Sequence, residues 1–525
     1  MGTKSGARRA LEVERALLFV FLCHAAAMLS MALLLLPMLP GGTGSDDHAR
    51  IVRIAEHPWL FRLGWLPWQL SALSDLALAV AMVRARWLPR APSLAVLVAT
   101  VAAIAPDQGG QLLWITQGVQ LAREAVAHGS DASYLAFEAP VFNAIAAWAA
   151  LLYTVAAVAW SVAFSRAGAW SANLTRLSLA VWSVFALVSV APLLPSPLRP
   201  PPSVLSAGNA LAFVMMQVWF ALLLERVMRR SRAMQTHGRT APWRAPKALR
   251  FGAVYEAVAH SLLLRQFCRW LPFFEFRSDI TNVLYANYLV PAAALEPCVP
   301  EGLTLQRLGA DRSWAVFTFL SYRHGHFGPA IAGPFRRWFS SPVQTNWRIY
   351  VSDPHTQRDG IYFVTNAVTT RLHALGARLM AENMPMHLLA DGQVERAATG
   401  TVHLRLEPGG GSAPDARATL EPTTEHALPA DWAACFTDYD AMLAYLVPQD
   451  LSLATAPWLR ETIAAEIELK IALDTCEPLT GQVGSRAAER IVGPKKALCF
   501  WIPRVTLRFH HEHREAWPDE HAERP

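Results

Sequence analysis

Two arginines, an asparagine and a histidine in the second half of the chain have side chains suited to contact an organic acid. Asn346 and Arg348 lie in the segment TNWRIYV, and Arg378 and His387 lie in GARLMAENMPMHLLA. Arginine is always charged, and its planar guanidinium group presents a fork of donors that fits a carboxylate. Histidine has a pKa near neutrality and can transfer protons. We therefore predict ligand contacts by Asn346, Arg348 and Arg378, and we take His387 as a candidate general acid or base.

Each of these charged or titratable residues also has a purely structural interpretation. Arg348 could be a strand residue paired with a nearby carboxylate. Arg378 could lie on a helix surface with Glu382 as its i+4 partner. His387 could be a hydrogen-bonded histidine of the core. The sequence leaves both interpretations open for all three side chains.

Other histidines form no complete metal site. His324 and His326 are two residues apart in RHGHFG, so on a strand both would face the same side and could bind zinc. The sequence indicates no third ligand for this pair. The C-terminal segment FHHEHREAWPDEHAERP is interpreted as a polar tail. We therefore predict neither a metal nor another cofactor.

One acidic residue, Asp75, lies inside the apolar segment SALSDLALAV. An ionisable side chain at the centre of a membrane span costs at least about 2.5 kcal/mol if it faces lipid, so we expect Asp75 to face the interior of a helix bundle. It could belong to a proton or ligand path, or it could form a structural hydrogen bond. Candidate partners for such a bond are Gln69, Asn143, Asn209 and Gln217.

The first 225 residues are predicted to cross a membrane. The chain of 525 residues is 53% hydrophobic and only 17% charged, which is too apolar for an ordinary soluble protein. Each predicted span is near the ~20 residues that cross a hydrocarbon core of ~30 Å. The six spans are Ala16–Leu39, Gly64–Val83, Leu88–Ala105, Ala139–Phe164, Leu177–Leu194 and Val204–Leu224. The third and fifth are short, so five spans remain an alternative.

Basic residues predict the orientation of these spans. Lysine and arginine concentrate before the first span, after the second, between the fourth and fifth, and after the sixth, whereas the opposite loops mix fewer of them with acidic residues. The excess of positive charge in cytoplasmic loops places both termini in the cytoplasm. We thus predict an integral inner or plasma membrane protein with lipid as a partner. The same bias explains the net charge of +6, so we predict no nucleic-acid partner.

Three regions follow along the chain: an all-α membrane domain at 1–225, a basic juxtamembrane linker at 226–252, and a cytoplasmic domain at 253–525. Residues 253–274 could form a helix on the membrane surface or the first helix of the soluble domain. From Ile280 onward, short runs rich in Val, Tyr, Phe and Thr alternate with Pro and Gly and predict strands. The predicted helices are few, so the domain is α+β and mostly antiparallel.

Residues of about 280–390 resemble the DUF2071 family, which belongs to the acetoacetate decarboxylase-like superfamily. The resemblance lies in the order and spacing of NVLYANYLVPAAALEPCVPEGLTL, WAVFTFLSY, TNWRIYV, DGIYFVTNAV and GARLMAENMPMHLL. It implies an acetoacetate decarboxylase-like fold with a ligand cavity. The membrane spans carry no comparable resemblance.

The resemblance does not extend to the chemistry of acetoacetate decarboxylases, which use a loop lysine to form an imine. The matching loop here runs through Pro385 into Met386 and His387, neither of which can form an imine. The carboxylate that those enzymes carry on the preceding strand is replaced by Asn346 or Arg348. The Pro-Lys-Lys sequence of GPKKAL comes far later in the chain and is interpreted as a solvated turn.

The leading interpretation is a membrane-tethered module that binds a small organic acid or carbonyl compound. An enzyme is the first alternative: a lyase, hydratase or hydrolase that uses His387 with Arg348 and Arg378 in acid–base and oxyanion roles. A transporter with a regulatory cytoplasmic domain is the second alternative, and it depends on Asp75.

Overall fold

The computed structural model describes residues 2–43, 46–87, 89–166, 170–233, 243–268, 271, 275–457 and 460–517. The chain divides into two compact units, Met1–Met234 and Gln235–Pro525, which we call the helical unit and the barrel unit. Leu88 at the start of the third predicted span, parts of the predicted linker, and residues 518–525 of the predicted tail lie outside the described residues. Residues 509–516, also predicted as tail, instead form the end of the last strand.

The described part of the helical unit consists of helices joined by short turns. Two pairs of consecutive helices continue into one another through π-helical turns, at Trp114–Gly118 and Ala144–Ala149, and a π-helical turn at Met31–Leu35 extends the first helix. The helices are α1 Gly2–Ser30, α2 Asp47–Glu56, α3 Pro58–Ala85, α4 Arg90–Leu113, α5 Val119–His128, α6 Ala132–Asn143, α7 Ala150–Arg166, α8 Ala172–Val190 and α9 Pro202–Ala233.

Six helical stretches of the described residues are long and apolar enough to cross a membrane, as predicted. They are Leu11–Met38, Pro58–Ala85, Ala91–His128, Ala132–Arg166, Ala172–Leu193 and Ser203–Arg229. The third contains 38 residues, or about 57 Å at 1.5 Å per residue, and exceeds the ~30 Å hydrocarbon core. Hydropathy ended this span at Ala105 because polar residues follow, but the helix continues through Pro106.

The described part of the barrel unit is dominated by one mostly antiparallel sheet, in agreement with the predicted α+β class. Its strands are β1 Phe276–Pro291, β2 Thr304–Leu305, β3 Trp314–Arg323, β4 Gly328–Pro329, β5 Val343–Asp353, β6 Arg358–Val368, β7 Met386–Leu388, β8 Asp391–Arg396, β9 Val402–Glu407, β10 Ala416–Pro422, β11 Leu451–Ala456, β12 Glu461–Lys470, β13 Glu477–Gly484 and β14 Leu498–Ala516.

Seven of these strands close into a ring. Strand β1 pairs with β3 on one side and with β14 on the other, and the order β1-β3-β5-β6-β11-β12-β14 returns to β1. The pairing of β6 with β11 is parallel, while the other pairings in the ring are antiparallel. Strands β13, β10, β9 and β8 continue the sheet from β14. The ring therefore has an inside, and side chains alternate between it and the outer face.

Strand β5 shows this alternation. Thr345, Trp347 and Ile349 belong to the outer face, where the Trp347 ring stacks on Phe319 with 4.8 Å between centroids. The intervening residues Gln344, Asn346 and Arg348 face the inside. The buried outer face is an ordinary apolar core, whereas the inner face of the same strand carries a row of polar groups.

Short helices accompany the ring. They are α10 Gly252–Ala259, α11 Leu262–Cys268, α12 Ala292–Leu295, α13 Arg371–Met380, α14 Ala430–Ala433, α15 Tyr439–Leu446 and α16 Arg486–Val492. Helix α15 is capped by the carboxylate of Asp438, which accepts from the Ala441 amide at 2.7 Å. Two helices, α10 and α11, occupy the described part of 253–274.

Candidate functional site

The inside of the ring encloses a cavity of about 260 Å³, which we call the barrel cavity. Most of its wall is apolar, with side chains from the ring strands and from α13. Representative wall residues are Ile280, Leu320, Ile361, Phe363, Ile467 and Leu507. A cavity with such a wall excludes water from the apolar part of a bound molecule, so its few polar groups decide what can bind.

Arg348 is the charged group of the barrel cavity, and it is 3% exposed. Its Nη2 donates to the carbonyl oxygen of Leu446 at 2.6 Å, at the C-terminal end of α15. The guanidinium carbon lies 5.5 Å from the ring centroid of Tyr285 and 5.6 Å from that of Tyr350. A helix C-terminus and two aromatic faces each favour a cation. These contacts hold the guanidinium group at the edge of the cavity.

No carboxylate of the described residues lies within ion-pair distance of Arg348. Its Nε is buried and has no hydrogen-bond partner among those residues. A buried charge without a counter-charge is costly, because the protein interior solvates it poorly. A bound anion would supply both the missing counter-charge and an acceptor for the Nε of Arg348.

Neutral polar groups continue from Arg348 along the inner face of β5. Gln344 Nε2 donates to Asn346 Oδ1 at 2.8 Å, and Asn346 Nδ2 donates to the Tyr322 hydroxyl at 3.0 Å. Burial raises the pKa of the Tyr322 phenol, so this hydroxyl keeps its proton. Asn346 and Arg348, both predicted as ligand contacts, thus line one cavity. Sequence reasoning missed Gln344 and Tyr322, although the period-2 alternation on β3 and β5 could have indicated them.

His324 also lines the barrel cavity, but it cannot serve as a base. Its Nε2 donates to Gln344 Oε1 at 2.9 Å, and its Nδ1 lies 2.8 Å from the Ser278 hydroxyl, so both ring nitrogens are occupied. Burial lowers the pKa of His324 to about 3. His326 is exposed, and the described residues contain no group of three or more metal-ligating side chains.

The structure places Arg378 and His387 away from the cavity lining. Arg378 Nε donates to the Ala259 carbonyl oxygen at 3.0 Å, while its helix α13 turns Gly376 and Ala377 to the cavity. Burial, with the nearby charge of Arg265, lowers the pKa of Arg378 to about 10. The predicted i+4 partner of Arg378, Glu382, pairs with Arg265 instead.

His387 lies on β7, where its Nδ1 is 2.7 Å from the Ser412 hydroxyl. Burial, with additional repulsion from Arg378 and His260, lowers the pKa of His387 to about 3, so the ring is neutral at physiological pH. Among the described residues, no lysine lines the barrel cavity. Lys495 of GPKKAL lies at the surface with its Nζ 5.7 Å from the Trp314 ring.

A separate polar cluster lies inside the helical unit around Asp75. Its carboxylate Oδ2 lies 3.6 Å from Nε2 of His24. Nearby Asp107 accepts from Gln111 Nε2 at 2.7 Å and from the Tyr153 hydroxyl at 3.2 Å. We call His24, Asp75, Asp107 and Tyr153 the bundle cluster. Sequence reasoning ended the third span at Ala105 and therefore placed Asp107 outside it. The four partners that it named for Asp75 did not include His24.

Comparison with known proteins identifies part of the barrel unit. Residues 277–439 match the model of DUF2071, described as an uncharacterized conserved protein. We call the matched residues the DUF2071 region. The match confirms the predicted resemblance and extends about 50 residues beyond its predicted end. The DUF2071 region contributes β1, β3, β5, β6 and α13 to the cavity wall, whereas β12 and β14 follow it.

Several solved structures are similar to this chain. Two of them are structures of the enduracididine biosynthesis enzyme MppR, one with HEPES buffer bound and one complexed with pyruvate. Each of these two structures is 14% identical to this chain, with a TM-score of 0.32. These two cover 47% and 46% of this chain and 90% and 91% of their own chains. An acetoacetate decarboxylase-like enzyme from Sphingomonas wittichii RW1 is 10% identical with a TM-score of 0.35, covering 47% of this chain and 95% of its own. Among the curated proteins nothing matches.

Proposed function

We propose that the barrel unit binds a monocarboxylic acid with an apolar body, and that the apolar helices tether this binding module to a membrane. The observation that supports this function is Arg348, a buried cation beside an apolar cavity with no carboxylate partner among the described residues. A ligand carboxylate would complete the ion pair, and its hydrocarbon part would fill the remaining space. Asn346 and Tyr322 are neutral polar groups on the same cavity wall.

The cavity volume limits the size of the acid. An engineered apolar cavity of about 150 Å³ accommodates benzene, so a cavity of about 260 Å³ accommodates an acid of about ten non-hydrogen atoms. This proposal favours an organic acid over an uncharged carbonyl compound, because a neutral ligand would leave the Arg348 charge unpaired.

The enzyme alternative has less support. It required His387 to act together with Arg348 and Arg378, whereas only Arg348 lines the barrel cavity. A neutral histidine whose pKa is lowered to about 3 is a poor proton acceptor at physiological pH. We therefore assign binding rather than turnover to this cavity. The orientation of the basic loops supports placing the barrel unit in the cytoplasm.

The full-length chain in detergent micelles is expected to bind hexanoate at least about tenfold more tightly than hexanol, since a hydrogen bond to a charged group contributes about 1.5–3 kcal/mol. Isothermal titration calorimetry measures both affinities, and both probes are soluble enough for empty micelles to serve as the blank. Equal affinities, or heats that match the empty micelles for both probes, would contradict an arginine-anchored site.

A second candidate function belongs to the helical unit, where we infer a proton-linked transport step through the bundle cluster. Titratable side chains from α1, α3, α4 and α7 meet there, and Gln111 Oε1 is buried with no hydrogen-bond partner among the described residues. Ionisable groups inside a membrane bundle are costly and therefore usually functional. The orphan oxygen indicates a place for a proton-carrying group or water.

Asp75→Asn is expected to abolish proton uptake by proteoliposomes when a potassium diffusion potential is imposed. The amide preserves the shape of the side chain but cannot accept a proton. An entrapped pH-sensitive dye reports the flux, and Ser178→Ala, which removes a buried hydroxyl bonded to Trp219 outside the cluster, is the matched control. Uptake by wild type no faster than by protein-free liposomes would refute the transport step.

A further inference from the structure

The barrel unit exposes a group of large apolar side chains beside its cavity. Ile331, Phe335 and Trp338 lie on the 3-10 segment Ala330–Trp338, and Leu372 lies on α13. Ile331 is 81% exposed, and both Trp338 and Leu372 are 73% exposed. Together with the exposed Arg337, these residues form what we call the rim surface. Large side chains grouped in this way usually mark an interaction site.

The rim surface is continuous with the barrel cavity. Pro329 and Phe339, which flank the 3-10 segment, both line the cavity. Leu372 is at once highly exposed and part of the cavity wall, so the cavity reaches the surface at this point. His373 ties the two segments together, because its Nε2 lies 3.1 Å from the Phe327 carbonyl oxygen and its ring stacks on Phe327 at 4.9 Å.

Positive charge accompanies the apolar side chains. Arg337 and Arg371 are exposed on the two segments, and Arg336 pairs with Asp279 at 3.5 Å. Neither segment 327–342 nor segment 369–380 contains an acidic residue. Tryptophan, aliphatic side chains and arginine together are the composition of surfaces that enter the headgroup region of a bilayer, where anionic lipids attract each arginine.

A second copy of the chain would be a poor occupant of the rim surface. A two-fold interface would place the same patch against itself, and its arginines would face one another without an acidic residue from either segment. An anionic lipid surface has the complementary charge and also accepts the apolar side chains. Charge complementarity therefore favours the bilayer.

We propose that the rim surface inserts into the headgroup region of an anionic bilayer, and that the barrel cavity receives its acid from that bilayer at Leu372. The docking part of this inference stands on the rim surface alone, whereas the exchange of an acid rests on the proposed function. The ligand class becomes an amphiphilic acid that partitions into lipid. Its apolar part enters the cavity while its carboxylate reaches Arg348.

Hydrogen–deuterium exchange of the full-length chain in nanodiscs tests the docking. Exchange of a peptide covering 330–338 is expected to be roughly tenfold slower in nanodiscs with anionic phospholipid than in purely zwitterionic nanodiscs. The Arg337→Glu/Arg371→Glu variant should lose this difference, because it reverses the attraction. A peptide covering the exposed β8–β9 turn around Thr399 is the internal control and should exchange equally in both kinds of nanodisc.

The apolar contribution is tested with Ile331→Ser/Trp338→Ser, whose side chains are too exposed for their loss to unfold the barrel. This variant should also lose the protection while keeping its hexanoate affinity in micelles. Protection that is independent of lipid charge but increases with protein concentration would indicate a second copy and overturn the docking. If the chain binds hexanoate but the 330–338 peptide is not protected, the docking alone is refuted. If the peptide is protected but the chain binds no hexanoate, the proposed function alone is refuted.

Discussion

Replacing Arg348 with methionine is expected to weaken hexanoate binding by about 30-fold or more, since truncating one partner of a buried charge pair costs about 2–5 kcal/mol. Hexanol, which has no charge to pair, should bind the variant at least as well as wild type. In the absence of ligand the variant should not be less stable, because the substitution removes a buried charge that has no carboxylate partner among the described residues. Loss of acid affinity without loss of stability is the signature of a ligand anchor.

Calorimetry with hexanoate and a thermal melt of each variant measure these two effects. Arg378→Met is the matched control. Arg378 is also an arginine that is largely removed from water, but it lies outside the cavity lining. The hexanoate affinity of this variant should therefore stay within about twofold of wild type. Arg348→Lys, which keeps a charge without the planar fork, should recover part of the affinity. If hexanoate binding were instead lost in Arg378→Met and kept in Arg348→Met, the ligand would bind at the loop between α13 and β7 rather than in the barrel cavity.

Lowering the pH from 7.5 to 5.0 is expected to destabilise the barrel unit by about 4 kcal/mol through two histidines. The pKa values of His324 and His387 are lowered to about 3 in the folded protein, chiefly by burial, while both titrate near 6.5 when unfolded. Below about pH 6.5 the unfolded chain binds protons that the folded chain does not. The stability is therefore fully present above that pH and declines toward pH 3, by about 1.4 kcal/mol per pH unit for each histidine.

Thermal unfolding in micelles at both pH values, followed by tryptophan fluorescence, measures this dependence. His324→Gln and His387→Gln should each remove about half of the decline, because glutamine does not titrate between these pH values. His326→Gln, at an exposed histidine of the same loop region, should leave the decline unchanged. If the variant with both His324→Gln and His387→Gln lost as much stability between pH 7.5 and pH 5.0 as wild type, groups other than these histidines would cause the effect.

The parts of the architecture that depend on local sequence patterns were predictable. Apolar length revealed all six spans, and β-rich runs between Pro and Gly revealed the sheet. The extent of the third span was not predictable from hydropathy, because backbone hydrogen bonds continue the helix past Pro106 into polar residues. Closure of the ring was equally hidden, since the pairing of β1 with β14 joins residues more than 200 positions apart.

The candidate site was predictable in part for a related reason. Asn346 and Arg348 lie two residues apart on one strand, so a single ligand contact on β5 implies the other by alternation. Helix α13 offers no such rule: it turns Gly376, Ala377 and Met380 to the cavity, and Arg378 points elsewhere. Only the packing of α13 on the ring decides which of its faces lines the cavity.

The closed ring also determines when the chain can fold. Phe276 at the start of β1 pairs with Phe509 near the end of β14, so the first strand is synthesised long before its partner. At about 5–20 residues per second, this interval lasts roughly ten seconds or longer. During synthesis β1 must therefore wait with one edge unpaired, and a chain that stops before Leu498 cannot close the barrel at all.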